Sequence, residues 1–305
     1  MASLQAHILS LLLRYQVKRA LRGNTDLEKV RATLAGGKFP VPSDVTFTPE
    51  TVGGVPGEWV RAKGAPPDEP KLLYLHGGGY FACSPRSHRS ITAAYAQRGF
   101  AVYAPDYRLA PEHPFPTAVE DAKAVWKALV ARGNAPNRLT VSGDSAGGGL
   151  ALALLLSLRD EGARLPGAAM LFSPWTDLAV TGASAKLNAK RDAMFTPDGI
   201  REGALIYLAG TPATDSLASP HYADAHGLPP LMIHCGETEI LRDDSVRFAE
   251  KASAAGVRVE LRVWPVVPHV WQLAQHFVPE ARESLRLAAA FLHEAANAKP
   301  QTLAA

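Results

Sequence analysis

From residue 71 onward the chain alternates short apolar runs with longer stretches of helical period, and this alternation limits the possible architectures more than any other feature. The runs at 71–75, 100–104, 139–142, 168–172 and 231–235 are too short for helices and read as buried strands. Helical stretches follow them, at 118–131, 148–160 and 243–255, and a strand at 257–264 and a helix at 279–296 complete the series. Repeated strand-helix units close as a mostly parallel sheet with helices on both faces. Ahead of them, 44–48 and 58–61 alternate as half-buried strands. Earlier still, Leu4, Ile8, Leu11, Leu12 and Tyr15 recur at three-to-four spacing, which predicts an amphipathic helix. Thr25 and Glu28 then form a candidate capping box for a second helix that Gly36-Gly37 would stop. Between 175 and 220 the strand-helix rhythm lapses, which predicts an inserted cap. The expected division is an α/β core over 46–175 and 221–305, with helical cap segments at 1–45 and 176–220.

Charge adds exclusions. Across 305 residues, 32 Lys and Arg face 29 Asp and Glu with no long basic run, so neither a nucleic acid groove nor a polybasic membrane patch is indicated. The expected partner is a small neutral molecule, with no nucleic acid and no membrane. Cys83 and Cys235 are too few for a disulfide framework and lack zinc-site spacing. No H-E-x-x-H pattern occurs among the ten histidines, so no metal and no cofactor are expected. The apolar run at 8–13 follows no Lys or Arg and is too short to span a bilayer, so a cytoplasmic location is expected.

Chemistry concentrates at two motifs. Gly143-Asp144-Ser145-Ala146-Gly147 lies between a predicted strand and a helix rich in Leu and Ala, the context of a nucleophile elbow. Small neighbours let a strained turn push the Ser145 hydroxyl clear of the backbone. His76-Gly77-Gly78-Gly79 ends another strand, and consecutive glycines let N–H groups face a ligand without side chains in the way. A tetrahedral oxyanion needs such donors, and the Ala146 N–H supplies one more. Reading Gly77-x-Gly79-x-x-Ala82 as a dinucleotide fingerprint fails, because Cys83-Ser84-Pro85 interrupts the helix it must open.

A nucleophilic serine needs a base and an orienting acid, in the chain order Ser, acid, His for this topology. His269 is the one histidine in a loop just after the last strand, with His276 as the fallback. The acid belongs in the turn after the strand at 231–235, where Glu237, Glu239, Asp243 and Asp244 compete. Asp243 and Asp244 also suit the first turn of a helix, where the dipole favours negative charge.

Three stretches carry a family resemblance: His76 to Gly79, Gly143 to Gly148, and Tyr107-Arg108-Leu109-Ala110-Pro111-Glu112-His113-Pro114-Phe115-Pro116. In them the chain resembles the hormone-sensitive-lipase-like esterases of the α/β-hydrolase superfamily. The resemblance implies an α/β-hydrolase fold with a helical cap. It aligns Glu239-Ile240-Leu241-Arg242-Asp243 with the family's Asp-Pro-Leu-Arg-Asp turn, which puts Glu239 at the catalytic acid. It also implies Cys83 and Val270-Trp271 near the acyl pocket, where the family commonly has Gly and Gly-Phe. Within the Tyr107 to Pro116 stretch, Arg108 and Glu112 are candidates to pair.

The resulting expectation is a carboxylic ester hydrolase with Ser145, His269 and Glu239 as triad and an oxyanion hole in which the N–H groups of Gly78, Gly79 and Ala146 donate and Gly77 shares in the shape. Short-to-medium acyl esters are the expected substrates, by resemblance. An amidase or lactonase is the nearer alternative, and a binding-only receptor on the same fold the more distant one. The last strand alternates Val257, Val259, Leu261 and Val263 with Arg258, Glu260, Arg262 and Trp264. At a sheet edge it predicts antiparallel pairing across a two-fold axis and hence a homodimer.

Overall fold

A computed structural model describes residues 2–37, 39–135 and 138–297. The chain opens with α1 (Leu4–Leu13), a π-helical turn (Arg14–Lys18), α2 (Arg19–Leu21) and α3 (Leu27–Ala35). There follow β1 (Val45–Val52), β2 (Val55–Ala62), β3 (Lys71–Leu75), α4 (Arg89–Ala96), β4 (Ala101–Pro105), α5 (Thr117–Ala131), β5 (Leu139–Asp144) and α6 (Ala146–Asp160). The remainder is β6 (Ala169–Phe172), α7 (Ser184–Leu187), α8 (Pro197–Leu208), β7 (Leu231–Gly236), α9 (Arg242–Ala254), β8 (Val259–Trp264) and α10 (Pro279–Asn297).

Among the described residues eight strands form one sheet in the order β1-β2-β4-β3-β5-β6-β7-β8. The pairs β1–β2 and β2–β4 are antiparallel, and every later pair is parallel. Strand side chains alternate between faces, and both faces are covered, so the central strands read as continuous apolar runs. Leu73, Leu75, Val141, Leu171 and Ile233 pack on one side with Leu150, Leu154 and Leu155 of α6 and with Phe248 of α9. Leu72, Tyr74, Val102, Met170 and Phe172 pack on the other with Ile91 and Tyr95 of α4 and Leu285 and Leu292 of α10. The mostly parallel, doubly covered sheet that the alternation predicted is present, in the α/β-hydrolase fold that the family resemblance implied.

Several local expectations shift. β1 and β2 are longer than 44–48 and 58–61 because a hairpin joins them directly, with Val52 opposite Val55. Its turn is Gly53-Gly54 at φ 62° and 82°, the pair of positive angles a two-residue hairpin requires. The cap of α3 is Asp26 rather than Thr25, its carboxylate accepting from Lys29 N at 3.2 Å. Arg108 and Glu112 do not pair. A helix is what brings side chains four residues apart together regularly, and this segment is not one. Arg108 meets Asp121 on α5 at 2.6 Å, and Glu112 takes Arg31 of α3 at 2.6 Å.

Candidate active site

Ser145 lies between the end of β5 and the start of α6 at φ 53° and ψ −123°, a backbone state that costs on the order of 1–3 kcal/mol for a residue with a side chain. Surrounding contacts impose it. Its N–H donates to Phe172 O at 2.8 Å, and its carbonyl accepts from Gly149 N at 3.1 Å and Trp175 N at 2.9 Å. The two motif glycines are sterically required as well. A Cβ on Gly143 would lie 2.3 Å from Gly147 O, and one on Gly147 would lie 2.1 Å from Leu75 O.

The glycine-rich loop is aimed by its own carbonyls. His76, buried and stacked on Tyr107, bonds Gly77 O through Nδ1 at 2.8 Å. Burial and the nearby His88 push its pKa down to about 3, so the ring is neutral and Nδ1–H donates. Gly78 O accepts from Phe81 N at 3.2 Å and Ala82 N at 2.9 Å. In a trans peptide the carbonyl and the following N–H point in opposite directions, so these bonds turn the Gly78 and Gly79 N–H groups away from their acceptors. Among the described residues those two N–H groups and that of Ala146 have no protein acceptor.

Gly77 serves the loop by its shape and not as an oxyanion donor. Its N–H is already bonded to Asp144 Oδ1 at 3.1 Å, so it is not free to meet an oxyanion. What the position needs is the missing side chain: a Cβ would approach Asp144 Oδ2 to 2.3 Å. Asp144 also accepts from Tyr74 at 2.6 Å and faces His88 Nε2 at 3.2 Å. Burial raises its pKa, but His88 and Tyr74 outweigh that and the carboxyl lies below its ordinary value.

Of the four candidate acids, Glu239 alone reaches His269. Its Oε2 accepts from His269 Nδ1 at 2.6 Å, while Oε1 accepts from Ser173 Oγ at 2.8 Å and Gly236 N at 2.5 Å. Glu237 pairs with Arg191 outside, Asp243 accepts from Ser184 N, and Asp244 accepts from the N–H groups of Thr176 and Asp177. His276 is exposed and borders a separate surface hollow with Gln97 and Arg98. Burial lowers the His269 pKa, but the charge and hydrogen bond of Glu239, with Asp192 and Asp144 behind, leave it above the usual imidazole value. Its Nε2 is buried and has no hydrogen-bond partner among the described residues, and Ser145 and His269 line one cavity.

That cavity holds about 410 Å³ and is mainly apolar. Leu9, Leu13 and Val17 wall it from the N-terminal helices, and Phe195, Ile200 and Ile206 from the segment before β7. Cys83, Val270 and Trp271 line it too, where the family resemblance put them.

Sequence reasoning missed the supports. Asn188 Nδ2 donates to Glu237 O at 2.9 Å and Glu239 O at 2.8 Å, and Asp192 Oδ2 accepts from Ile240 N at 2.8 Å, so the 188–192 loop clamps the acid turn. Arg31 of α3 donates to Phe81 O at 2.7 Å beside the glycine loop. Only Asp144, inside a motif, carried a sequence signal; the acid-turn partners of Asn188 and Asp192 and the glycine-loop partner of Arg31 lie dozens of residues away.

Comparison with known proteins identifies the family. Residues 72–273 match the family described as alpha/beta hydrolase fold. An acetyl-hydrolase of Streptomyces hygroscopicus is 45% identical over 267 residues, 87% of each chain. The crystal structure of EstE5 soaked with ethyl alcohol superposes with a TM-score of 0.93 at 40% identity, covering 97% of this chain and 100% of that one. An esterase from the bacterial hormone-sensitive lipase family gives a TM-score of 0.92 at 39% identity over the same shares. With a nucleophile elbow, a glycine-rich loop and a carboxylate-bound histidine around one apolar cavity, this chain belongs to the α/β-hydrolase family, among its bacterial hormone-sensitive-lipase esterases.

Proposed function

We propose that the protein hydrolyses carboxylic esters of short-to-medium acyl chains through an acyl-enzyme, with Ser145 as nucleophile, His269 as general base and Glu239 as orienting acid. The observation that carries this reading is the His269–Glu239 bond of 2.6 Å at Nδ1, which fixes the tautomer and leaves Nε2 as a free acceptor in the cavity Ser145 lines. Nε2 takes the Ser145 proton as Oγ attacks the ester carbonyl. Negative charge then develops on the carbonyl oxygen, and the N–H groups of Gly78, Gly79 and Ala146 meet it without reorganising. Gly77 shapes the hole by leaving room for Asp144. His269 next protonates the leaving alcohol, and a water activated by the same nitrogen releases the acid.

The helices before β1 and the segment between β6 and β7 act in this reading as a cap over an α/β core, closing the acyl cavity. The family resemblance supports the chain-length preference, and β8, the last strand of the sheet, supports a homodimer paired along its edge. Release of p-nitrophenol from p-nitrophenyl butyrate tests the reaction: wild type turns over, and Ser145→Ala loses more than about a thousandfold in kcat with its fold intact. No turnover by wild type would overturn the reading.

A further inference from the structure

The N-terminal helical run is apolar on two sides, and only one of them is covered. Leu9, Leu13, Val17 and Leu21 face the cavity. Leu4, Leu11, Leu12 and Tyr15 lie on the outside, 71%, 66%, 49% and 69% exposed, with Ile8 between them at 37%. These five residues recur every three or four positions and so form one continuous stripe. A contiguous stripe of large apolar side chains marks a surface that something else covers.

The charges around it identify what. From residue 2 to residue 25 there are four cations, Arg14, Lys18, Arg19 and Arg22, and no Asp or Glu. Arg19 stands with its guanidinium 5.6 Å from the Tyr15 ring centroid, at the edge of the stripe. Arg14 is tied to the backbone carbonyl of Arg191, which holds it without cancelling its charge, whereas Lys18 turns inward to the carbonyls of Ala189 and Asp192 and feels the Asp192 carboxylate. A second copy suits the surface badly, since a two-fold interface would bring these cations against themselves. A helix with an apolar face, a cationic rim and no acidic residue fits the boundary of an anionic bilayer, apolar side chains among the acyl chains and cations at the phosphates.

Position adds a functional consequence. The inner side of the same helical run walls the acyl cavity, and Leu205, 71% exposed on α8, stands at that cavity's rim. We infer that the α1–α2 run is an interfacial docking element that seats the cavity's cap side on an anionic lipid surface, where amphiphilic esters partition and concentrate. This departs from the absence of a membrane partner expected from charge composition, because whole-chain balance averages over a local excess, and only the fold shows that the apolar stripe beside it stays uncovered. The substrate part rests on the ester-hydrolase reading; the docking part does not.

Cosedimentation of the intact protein with vesicles tests the docking directly. Binding to phosphatidylcholine vesicles containing roughly one-third phosphatidylglycerol should exceed binding to phosphatidylcholine alone by about tenfold or more and weaken as salt rises. Leu11→Asp with Tyr15→Asp should cut binding by at least about tenfold, and Arg19→Glu severalfold. Both variants change exposed groups outside the cavity lining, so turnover of dissolved p-nitrophenyl acetate should match wild type and certify folding. Hydrolysis of a fluorogenic ester embedded in the anionic vesicles should fall with binding. Absent wild-type binding, or equal binding by the double variant, overturns the inference. So does a dimer in sedimentation equilibrium that the double variant disperses while vesicles are ignored, which would make the occupant a second copy. Vesicle binding without any ester turnover would sustain the docking and sink the hydrolytic reading; turnover without vesicle binding would do the reverse.

Discussion

His269 can act as a base only when its Nε2 is unprotonated before the ester arrives, so its ionisation must appear in the rate. Burial alone would push that ionisation down, but the Glu239 carboxylate holds it above the ordinary imidazole value of about 6.5. The protonated form prevails below this pKa and cannot accept a proton. Thus kcat/KM should rise with pH through one step above about 6.5 and then level off. Glu239→Gln removes the nearest charge that raises the pKa and leaves burial opposed only by Asp192 and Asp144. That variant should lose on the order of a thousandfold in kcat, and the step in its residual activity should move to lower pH. A pH–rate profile of both proteins checks this, and a flat wild-type profile from about pH 5 to 9 with chemistry limiting would exclude His269. Sequence could not choose among Glu237, Glu239, Asp243 and Asp244 by spacing, since all four lie in one turn and the helix it opens. The choice depends on Ser173 and Gly236 gripping one carboxylate from below.

At the level of elements, the site is assembled where α6 closes onto the ends of β3 and β5. A Cβ at Gly147 would strike the backbone oxygens of Leu75 and His76 at 2.1 Å and 2.5 Å, and backbone cannot swing aside as a side chain can. Gly147→Ala should therefore either abolish soluble folded protein or displace the Ala146 N–H and lower kcat by about a hundredfold. Circular dichroism with steady-state kinetics distinguishes these, and wild-type behaviour would refute the packing. The 188–192 loop supports the acid turn from the other side. Asp192 accepts from Met194 N and Phe195 N through Oδ1 at 2.7 Å and 2.8 Å, and from Ile240 N through Oδ2 at 2.8 Å. Asp192→Asn replaces one acceptor oxygen with an NH2 group that repels an N–H, which should loosen the turn and lower kcat by about ten- to a hundredfold with an unchanged fold. The conservative Asp192→Glu is too long for the three-bond clamp and should not rescue it.

For the molecule as a whole, one buried carboxyl links stability to pH. Burial and the neighbouring Asp177 push Asp244 up to about 8 from an ordinary 3.8. A pKa raised by folding means that the folded state holds this proton more tightly than the unfolded chain. The corresponding stability is fully present below about pH 4 and is lost progressively up to about pH 8. Asp244→Asn stays neutral and keeps an oxygen for the N–H groups of Thr176 and Asp177. At pH 9 it should raise the melting temperature by ~2–4 °C, with little gain at low pH. Thermal unfolding of both proteins across pH tests it, and a variant less stable at pH 9 would show that the carboxylate is favoured as the ion. Along the sheet, β8 keeps its outer edge, but Arg258 is already paired with Glu260 and Glu294 of its own chain, both at 2.9 Å. A dimer along β8 would have to exchange these pairs for partner pairs. Sedimentation equilibrium of Glu260→Pro should then show monomer where wild type shows dimer.

What the sequence determined by itself is what neighbouring residues decide among themselves. Strand length, helical period, the tight turn at Gly143 to Gly147 and the histidine loop after the last strand all depend on interactions within a few positions. So the α/β alternation, Ser145 and His269 were legible, and the family resemblance supplied Glu239. Tertiary structure alone decided that the Gly77 N–H belongs to Asp144, 67 residues away, and that Arg31 rather than Arg108 takes Glu112, 81 residues away. It also decided which side of α1 stays outside. Such pairings follow from the angles and separations at which whole elements pack, and packing is set by burial summed over the entire core rather than by any local pattern.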